Sequence, residues 1–465
     1  MFGSLFVACS SWGTLLSALI TFILVWIVYR TIQFRYSSLS KIPGPPGLPI
    51  IGGTRVNVTG PQNLKHVLIT HRHKYVKTKN IRAFVPSVGN GLLTCSHDDH
   101  VRQYKMVSPA FSYSNLKGMV AVFQQVAHNL VKTWTDKLSS SPSGFCDIEA
   151  QKDLNHCTLD IIGKCAFGYD FDSVFSGDNQ LAKAFTSIIQ VTNFSHLLLM
   201  KLFPFYKYFY TESKNAMKIT DEIVLEVIHK KMNSTKSQTK KKDLLDRLLE
   251  HYDGASKKDV EEMRSQVFTF LLAGHETSSV ALAWTLYELS KNPEIQTRAR
   301  EEVFAVLGKD LNIEWSKLDE LKFLGNIVKE SLRLHSPVYH VVRQAIEDDV
   351  IDGYLIPKGT TVAVGIQTTH ILPKYWKDPD IFIPDRFQEN DGQPSNIPNI
   401  FLPFSIGPRS CIGNKFALAE IKTVLATLLK NFVFTECSGM EFKPVIQITV
   451  RPNPSLHLLI SKIKG

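Results

Sequence analysis

A ten-residue stretch, residues 404–413, constrains this chain more than any other part of its sequence. It reads Phe-Ser-Ile-Gly-Pro-Arg-Ser-Cys-Ile-Gly and leads into an apolar helical segment at residues 415–429. Gly407 and Gly413 let the backbone bend around Cys411, so that several backbone N–H groups can point at one sulfur atom. The chain has seven cysteines, but no second one lies near Cys411, so neither a disulfide nor a zinc site is indicated.

The surroundings of Cys411 in the sequence favour a thiolate over a thiol. Backbone N–H groups and the start of the following helix stabilise negative charge. Phe404 can shield one side of the sulfur, and Arg409 supplies a cation two residues away. A shielded, hydrogen-bonded thiolate is the strong electron-donating axial ligand that a haem iron uses. The alternative is a buried structural cysteine in a Gly-rich turn, which is the commoner role of a free cysteine.

The pattern Phe-x-x-Gly-x-Arg-x-Cys-x-Gly resembles the haem-binding loop of the cytochrome P-450 haem-thiolate monooxygenases, with every fixed position present. The resemblance runs from about residue 41 to the end of the chain, through further motifs in the family's order. It implies a haem b cofactor, iron protoporphyrin IX, with Cys411 as the axial ligand of the iron. It also implies that Phe404, Arg409 and Gly413 contribute to cofactor binding.

The longest uninterrupted helical pattern, residues 261–291, carries the run Ala-Gly-His-Glu-Thr-Ser beginning at Ala273. Ala273 and Thr277 share one helix face, where two small groups let a flat ligand approach and the hydroxyl can bond back to a helix carbonyl. Gly274 costs ~1 kcal/mol relative to Ala in a helix interior, so it needs a reason. In the family, the acid–alcohol pair formed here by Glu276 and Thr277 relays protons during oxygen activation. A packing notch in the helix is the alternative.

The resemblance also implies residues that hold the haem propionates. Family members use Trp-x-x-x-Arg or His-x-x-x-Arg on an early helix, and this chain has His100 with Tyr104 in place of the arginine. His100 is therefore a candidate, and Arg102 or Lys105 could compensate for the missing arginine. The alternative for His100 is a surface histidine at a helix start. Arg343 falls where many relatives hold a propionate.

Other motifs bear on the fold. Glu330 and Arg333 lie three residues apart on a predicted helix and face the same side. In the family they form a buried pair, with Arg386 of the Pro-Asp-Arg-Phe motif as its third member. An Asp-Gly turn predicts a β-hairpin at residues 350–356. The resemblance implies a mainly α fold with a small β-rich lobe, within one catalytic domain at residues 54–465.

The first 29 residues carry no charged side chain, and they reach the roughly 20 apolar residues that span a bilayer. Basic residues follow this segment, so the positive-inside rule predicts that the rest of the chain is cytosolic. The alternative, a cleaved signal peptide, needs a basic n-region and a small-residue cleavage site. We expect a single-pass, uncleaved anchor at residues 1–30. Residues 31–53 resemble the proline hinge of microsomal family members, which implies the endoplasmic reticulum membrane.

The net charge of +10 suits an anionic membrane or an acidic protein partner, and no nucleic-acid recognition module accompanies it. The resemblance implies insertion of one oxygen atom from O2 into a lipophilic substrate: a sterol, a fatty acid or a xenobiotic. No flavin- or nicotinamide-binding segment is found, so an NADPH-dependent flavoprotein reductase is the expected electron donor.

Three further points follow from the resemblance. Relatives with covalently bound haem use a glutamate in the long helix, and Ala273 stands at that position, so covalent haem is not expected. One alternative function is a relative that isomerises or dehydrates a lipid peroxide without external electrons. The other is a non-catalytic haem-binding membrane protein.

Overall fold

Besides scattered positions between residues 17 and 42, the computed structural model describes residues 55–78, 88–177, 179–191, 211–233, 242–252, 256–308, 313–388 and 397–463. The predicted membrane anchor and proline hinge fall almost entirely outside the described residues. Within those ranges, no helix is both long enough and apolar enough to cross a membrane.

The chain is mainly helical and carries several small β-sheets. The helices are α1 (Pro61–Lys65), α2 (His97–Val107), α3 (Tyr113–Ser139), α4 (Ala150–Ile162), α5 (Ser173–Ser176), α6 (Gln180–Val191), α7 (Thr211–Asn233), α8 (Leu244–His251), α9 (Lys257–Lys291), α10 (Pro293–Leu307), α11 (Trp315–Glu320), α12 (Lys322–Leu334), α13 (Ile366–His370) and α14 (Asn414–Leu429). The strands are β1 (Arg55–Val58), β2 (Tyr75–Val76), β3 (Phe145–Glu149), β4 (His340–Ala345), β5 (Asp349–Ile351), β6 (Tyr354–Ile356), β7 (Thr361–Gly365), β8 (Phe432–Glu436), β9 (Lys443–Ile446), β10 (Val450–Asn453) and β11 (His457–Lys462).

The smaller of two compact units combines the chain up to Thr78 with Val341–Gly365. It holds a four-stranded sheet in the order β1-β7-β4-β2, in which β1 runs parallel to β7. Strands β5 and β6 form the predicted hairpin, with Asp352 and Gly353 at φ values of 49° and 80°. Both residues have positive φ, as a type I′ turn requires, so the hairpin prediction is confirmed.

The larger unit, Lys79–His340 with Ile366–Gly465, is organised on helix α9. This helix has 35 residues and is about 50 Å long. It begins at Lys257, earlier than its apolar pattern predicted, because the Ser256 side chain accepts a hydrogen bond from the Asp259 N–H at 3.1 Å. Most of its side chains are buried, including polar ones. Strands β3, β11 and β8 form an antiparallel sheet, and β9 pairs with β10.

The predicted buried ion network is confirmed. Arg333 donates from Nε and Nη2 to the two oxygens of Glu330, at 2.8 and 2.9 Å. Arg386 donates from Nε to the same carboxylate at 2.9 Å, and the Arg333 and Glu330 side chains are 0% exposed. Arg333 also donates to the carbonyls of His370 and Pro379, so one buried cation joins α12 to two later segments.

We expect Glu330→Ala to lower the free energy of unfolding by about 3–5 kcal/mol, because it leaves Arg333 buried without its counter-ion. Asp385→Ala is the matched control, since it breaks a two-bond pair with Arg298 that is half exposed. The control should cost less than about 1 kcal/mol. Urea unfolding of the two variants checks this. Equal losses would show that burial adds nothing to the Glu330 network.

Candidate active site

Residues 404–413 fold into a closed loop. The Cys411 N–H donates to the Phe404 carbonyl at 2.9 Å, which joins the two ends of the loop. Gly407 has a φ of 78°, a left-handed conformation that glycine adopts without a steric penalty, and Ser405 is left-handed as well, at 59°. The local backbone conformation therefore places the Cys411 side chain just before the start of helix α14.

The Cys411 thiol is reachable by solvent and is also closely surrounded by protein. This crowding raises the pKa of the thiol, and a hydrogen bond from the Gly413 N–H opposes the increase without cancelling it. The expectation that the loop by itself favours a thiolate is therefore wrong. A bound metal cation reverses this balance, because a coordinating thiol loses its proton outright. A single accessible sulfur with one N–H donor is a group that would bind a haem iron as a thiolate.

Arg409 fastens this loop to the start of helix α2. Its Nη2 donates to the carbonyls of Cys95 and Ser96, at 3.0 and 2.8 Å. Burial lowers the pKa of its guanidinium group. The position of the Cys411 loop is thus tied to the segment that carries His100.

His100 lies on α2 and is only 7% exposed, so the alternative of a surface histidine is wrong. Its ring lies 5.7 Å from the ring of Tyr104, the residue that replaces the usual arginine. Arg102 instead donates to the carboxylate of Glu262 on α9. Arg102 is therefore engaged in joining α2 to the long helix.

Arg343 belongs to the smaller unit, on strand β4. It is buried, with 6% of its surface exposed, and its Nη1 donates to the carbonyl of its neighbour Val342 at 3.0 Å.

Helix α9 has one accessible strip in its central part. Between residues 265 and 286, every residue is buried except Ala273, Gly274 and Thr277. The Thr277 hydroxyl donates to the Ala273 carbonyl at 2.8 Å, which confirms the predicted bond back to the helix. The small residues of this stretch therefore lie on its one accessible surface, where a flat ligand could bind.

Gly274 has a packing reason. A Cβ atom at this position would lie 2.9 Å from the Ile162 side chain of helix α4. At that distance the Ile162 side chain would have to shift, so glycine at residue 274 allows the present close packing of α4 against α9. The alternative of a packing notch is thus correct for Gly274, while Ala273 and Thr277 remain on the accessible strip.

Glu276 has partners that the sequence did not reveal. It is 1% exposed, and its carboxylate accepts hydrogen bonds from Arg451 Nε at 2.6 Å, from Arg451 Nη2 and from the Thr449 hydroxyl. Burial by itself would raise the pKa of Glu276, but Arg451 and Thr449 lower it overall. The Glu276 carboxylate and the Thr277 hydroxyl therefore bind different partners, and neither bonds to the other.

A second buried carboxyl group joins the cysteine helix to α9. Glu420 lies on α14 and accepts a hydrogen bond from the Ser278 hydroxyl at 2.5 Å. Its Oε1 atom has no hydrogen-bond partner in the part of the chain that the structure describes. Burial raises the pKa of Glu420 to about 8, so the group is neutral at physiological pH.

The larger unit is mainly helical, with a solitary cysteine loop at a helix start and a long helix with one accessible strip, as the resemblance to haem-thiolate oxygenases implied. The sequence model of the family described as Cytochrome P450 matches residues 17–459. Rat cytochrome P450 4F5 is 32% identical over 395 residues, covering 79% of this chain and 73% of that protein. Cytochrome P450 4c21 of Blattella germanica is 29% identical over 474 residues, covering 91% and 93%.

Among solved structures, the haem domain of cytochrome P450DA superposes with a TM-score of 0.75 and 27% identity, covering 88% of each chain. The chain therefore belongs to the cytochrome P450 family. It is a monooxygenase with a haem-thiolate cofactor, iron protoporphyrin IX.

Glu420 gives a pH test of stability. Its pKa is about 8 in the folded chain against an ordinary value of 4.5. Between these values the folded state holds a proton that the unfolded chain has lost, so the free energy of unfolding decreases as pH rises. Glu420→Gln should remove this decrease. The measurement is reversible urea unfolding at several values from about pH 5 to about pH 8.

The control for this experiment is Glu436→Gln, which removes an exposed carboxylate on β8. This variant should follow the wild-type pH dependence. A Glu420→Gln protein with the same pH slope as the wild type would show that Glu420 is not held neutral by the fold.

Proposed function

We propose that this monooxygenase inserts one oxygen atom from O2 into a lipophilic substrate, with Cys411 as the axial ligand of its haem. The observation that supports this assignment is the closed loop that presents one accessible thiol at the start of α14. Helix α14 is bonded through Glu420 to Ser278, the residue next to Thr277. The cysteine loop and the accessible strip of α9 thus belong to one packed arrangement.

The cofactor supplies oxygen activation when it is bound, and thiolate donation favours cleavage of the O–O bond. We propose that Phe404 and Gly413 line the sulfur, that Ala273 lies against the porphyrin, and that cationic side chains hold the propionates. The proposed propionate partners in the larger unit are the Arg409 guanidinium group and the His100 ring. Ala273 has no carboxylate, so the haem is held without a covalent ester.

Thr277 and Glu276 have separate tasks in this proposal. The Thr277 hydroxyl, on the accessible strip, is the group that hands protons to the reacting oxygen. Glu276 is 1% exposed and is bonded to Arg451 and Thr449, so it would resupply the hydroxyl only after taking up a proton.

Electrons come, in this proposal, from an NADPH-dependent flavoprotein reductase. The net charge of +10 favours an acidic partner, and Lys415 is exposed in the first turn of α14 near Cys411. The uncharged segment at residues 1–29 supports a single-pass anchor in the endoplasmic reticulum membrane with the catalytic part in the cytosol. A membrane location suits a substrate that partitions into lipid.

Cys411→Ala should abolish the red-shifted absorption band that a thiolate-ligated haem gives when reduced and exposed to carbon monoxide. Cys411→His tests the same point if the alanine variant loses its haem, because a nitrogen ligand should move the band without emptying the site. Cys437→Ser is the control, since this cysteine is half-buried beside Asp147 and should not affect the band. Retention of the band in Cys411→Ala would refute the ligand assignment.

Thr277→Ala should raise the fraction of consumed O2 that is released as hydrogen peroxide, because protons no longer reach the reacting oxygen in time. The measurement uses the holoenzyme with a flavoprotein reductase and NADPH. Thr285→Ala is a matched control, since Thr285 makes the same kind of bond back along α9, to Ala281 at 2.7 Å, but is buried. Equal peroxide fractions in the two variants would contradict the role of Thr277.

A further inference from the structure

The helix that begins beside the Cys411 loop carries a buried acid that the proposed mechanism does not use. Glu420 lies on α14, whose first residue, Asn414, follows Cys411 by three positions. Glu420 comes six residues after Asn414, which is about 9 Å along the helix axis. It is 0% exposed. The acid and the sulfur ligand of the proposed haem site are therefore joined by less than two turns of one helix.

The fold gives this carboxyl group no positive partner. Burial and the Ser278 hydroxyl are the influences on the pKa of Glu420, and its Oε1 atom has no hydrogen-bond partner among the residues that the structure describes. The buried acids Glu276 and Glu330 differ, because each contacts an arginine side chain. An ionised carboxylate that is buried with one neutral donor is strongly disfavoured, so Glu420 takes up a proton.

The titratable groups that face Glu420 from neighbouring elements are neutral. They are Cys157 on α4 and Cys165 in the turn that follows α4. Burial, with a smaller contribution from Glu420, raises the pKa of both thiols well above the ordinary value. Helices α3, α10, α11 and α12 and strand β8 also pack on α14, but none of their charges acts on the pKa of Glu420. The proton on Glu420 is therefore a consequence of burial.

Another group on α14 titrates in the same pH range. Lys422 lies two residues after Glu420, and its Nζ donates to the Leu318 carbonyl. Burial lowers the pKa of this lysine to about 8. It loses a positive charge as pH rises, whereas Glu420 gains a negative one. The titration of Lys422 therefore has to be separated from that of Glu420 in any measurement against pH.

A charge on Glu420 would act on the reduction of a haem iron bound to Cys411. Reduction adds an electron to a centre whose sulfur ligand is already negative in the proposed site. A second buried negative charge on the same helix disfavours that added electron, because buried charges are screened less than exposed ones. A neutral Glu420 exerts no such effect. The protonation state of Glu420 is therefore coupled to the reduction potential of the iron.

We propose that Glu420 sets the reduction potential of the haem iron, favouring reduction when its carboxyl group is neutral and opposing reduction when it is ionised. This inference rests on the proposed ligation of the iron by Cys411. Glu420 touches neither substrate nor cofactor in this assignment, and it acts through the electric field of its charge. Where Glu420 is ionised, delivery of one electron from the reductase to the iron favours uptake of one proton from solvent by the carboxylate.

The test is a spectroelectrochemical titration of the holoenzyme, in which the reduction potential of the iron is measured from about pH 6 to about pH 10. The pKa of Glu420 is about 8 in the folded chain, so the group changes charge within this range. Glu420→Gln keeps the shape of the side chain and can still accept the bond from Ser278. This variant should match the wild-type potential at the acidic end and have a higher potential than the wild type at the alkaline end.

Lys422→Met is the control, because it removes the other group that titrates near this pH. Loss of the positive charge of Lys422 would also lower the potential as pH rises. The variant should therefore retain the part of the decrease that Glu420 causes. A decrease that Lys422→Met abolishes and Glu420→Gln leaves intact would assign the effect to the lysine and overturn the proposal.

Ser278→Ala, made in the Lys422→Met background, gives a shift that a purely structural role for Glu420 does not predict. The Ser278 hydroxyl donates to Glu420 and opposes the rise in the pKa of its carboxyl group. Removal of this bond should move the midpoint of the decrease in potential to higher pH. A midpoint that stays in place would contradict the coupling between Glu420 and the iron.

Infrared spectra provide a readout that needs no reduction of the iron. At neutral pH, the wild-type spectrum minus that of Glu420→Gln should show the carbonyl stretching band of a protonated carboxyl group, and this band should disappear at alkaline pH. Absence of the band at neutral pH would show that Glu420 is ionised and would overturn the proposal. Equal potentials in the wild type and Glu420→Gln across the whole pH range would overturn it as well.

The same band separates this inference from the proposed function. It reports the proton on Glu420 whether or not Cys411 binds the iron. A band that is present while the Cys411→Ala experiment refutes the ligand assignment would overturn the inference through the haem site and not through Glu420. A band at neutral pH, together with a higher alkaline potential in Glu420→Gln, supports the inference.

Discussion

Burial of helix α9 is the constraint on which the larger unit depends. The helix crosses the unit with its polar side chains mostly inside, and a buried polar group without a partner costs about 1–3 kcal/mol. Some hydroxyl groups bond back to the carbonyls of their own helix, as Thr285 does, and other polar side chains bond to neighbouring elements, which fixes those elements against the helix. The pairs are Glu262 with Gln103, Gln266 with the Leu92 N–H, Glu276 with Arg451, Ser278 with Glu420, and Glu288 with His335.

The same pairs explain which parts of the site the sequence could predict. The Cys411 loop and the bond from Thr277 to Ala273 are local, so residue type and spacing were sufficient. The Asp-Gly hairpin belongs to the same kind of pattern. Arg451 lies 175 residues from Glu276, in a tail that reads as alternating strand, and no local signal marks it as the partner of an acid.

Electrostatic properties were harder to predict than positions. The sequence shows the N–H groups near Cys411, which favour a thiolate, but it does not show how closely protein surrounds the sulfur. That crowding is the larger effect and raises the thiol pKa overall. Glu420 is a similar case, because a glutamate on an apolar helix can be exposed or buried, and only packing against α9 shows that its pKa reaches about 8.

The small residues in the central turn of α9 allow close packing against α4 on one side of the helix and leave an accessible strip on another side. Because residue 274 is glycine, the Ile162 side chain can lie closer to α9 than a Cβ atom at 274 would allow. This contact packs α4 against the helix. Ala273 and Thr277 leave a strip open, and the bond between them satisfies the threonine hydroxyl without a large side chain. A bulkier residue at 274 would force the Ile162 side chain to shift, close to the bond from Thr158 of α4 to the His275 carbonyl at 2.9 Å. Packing of α4 therefore holds the turn that presents Thr277, so the geometry of the strip depends on a contact that faces away from it.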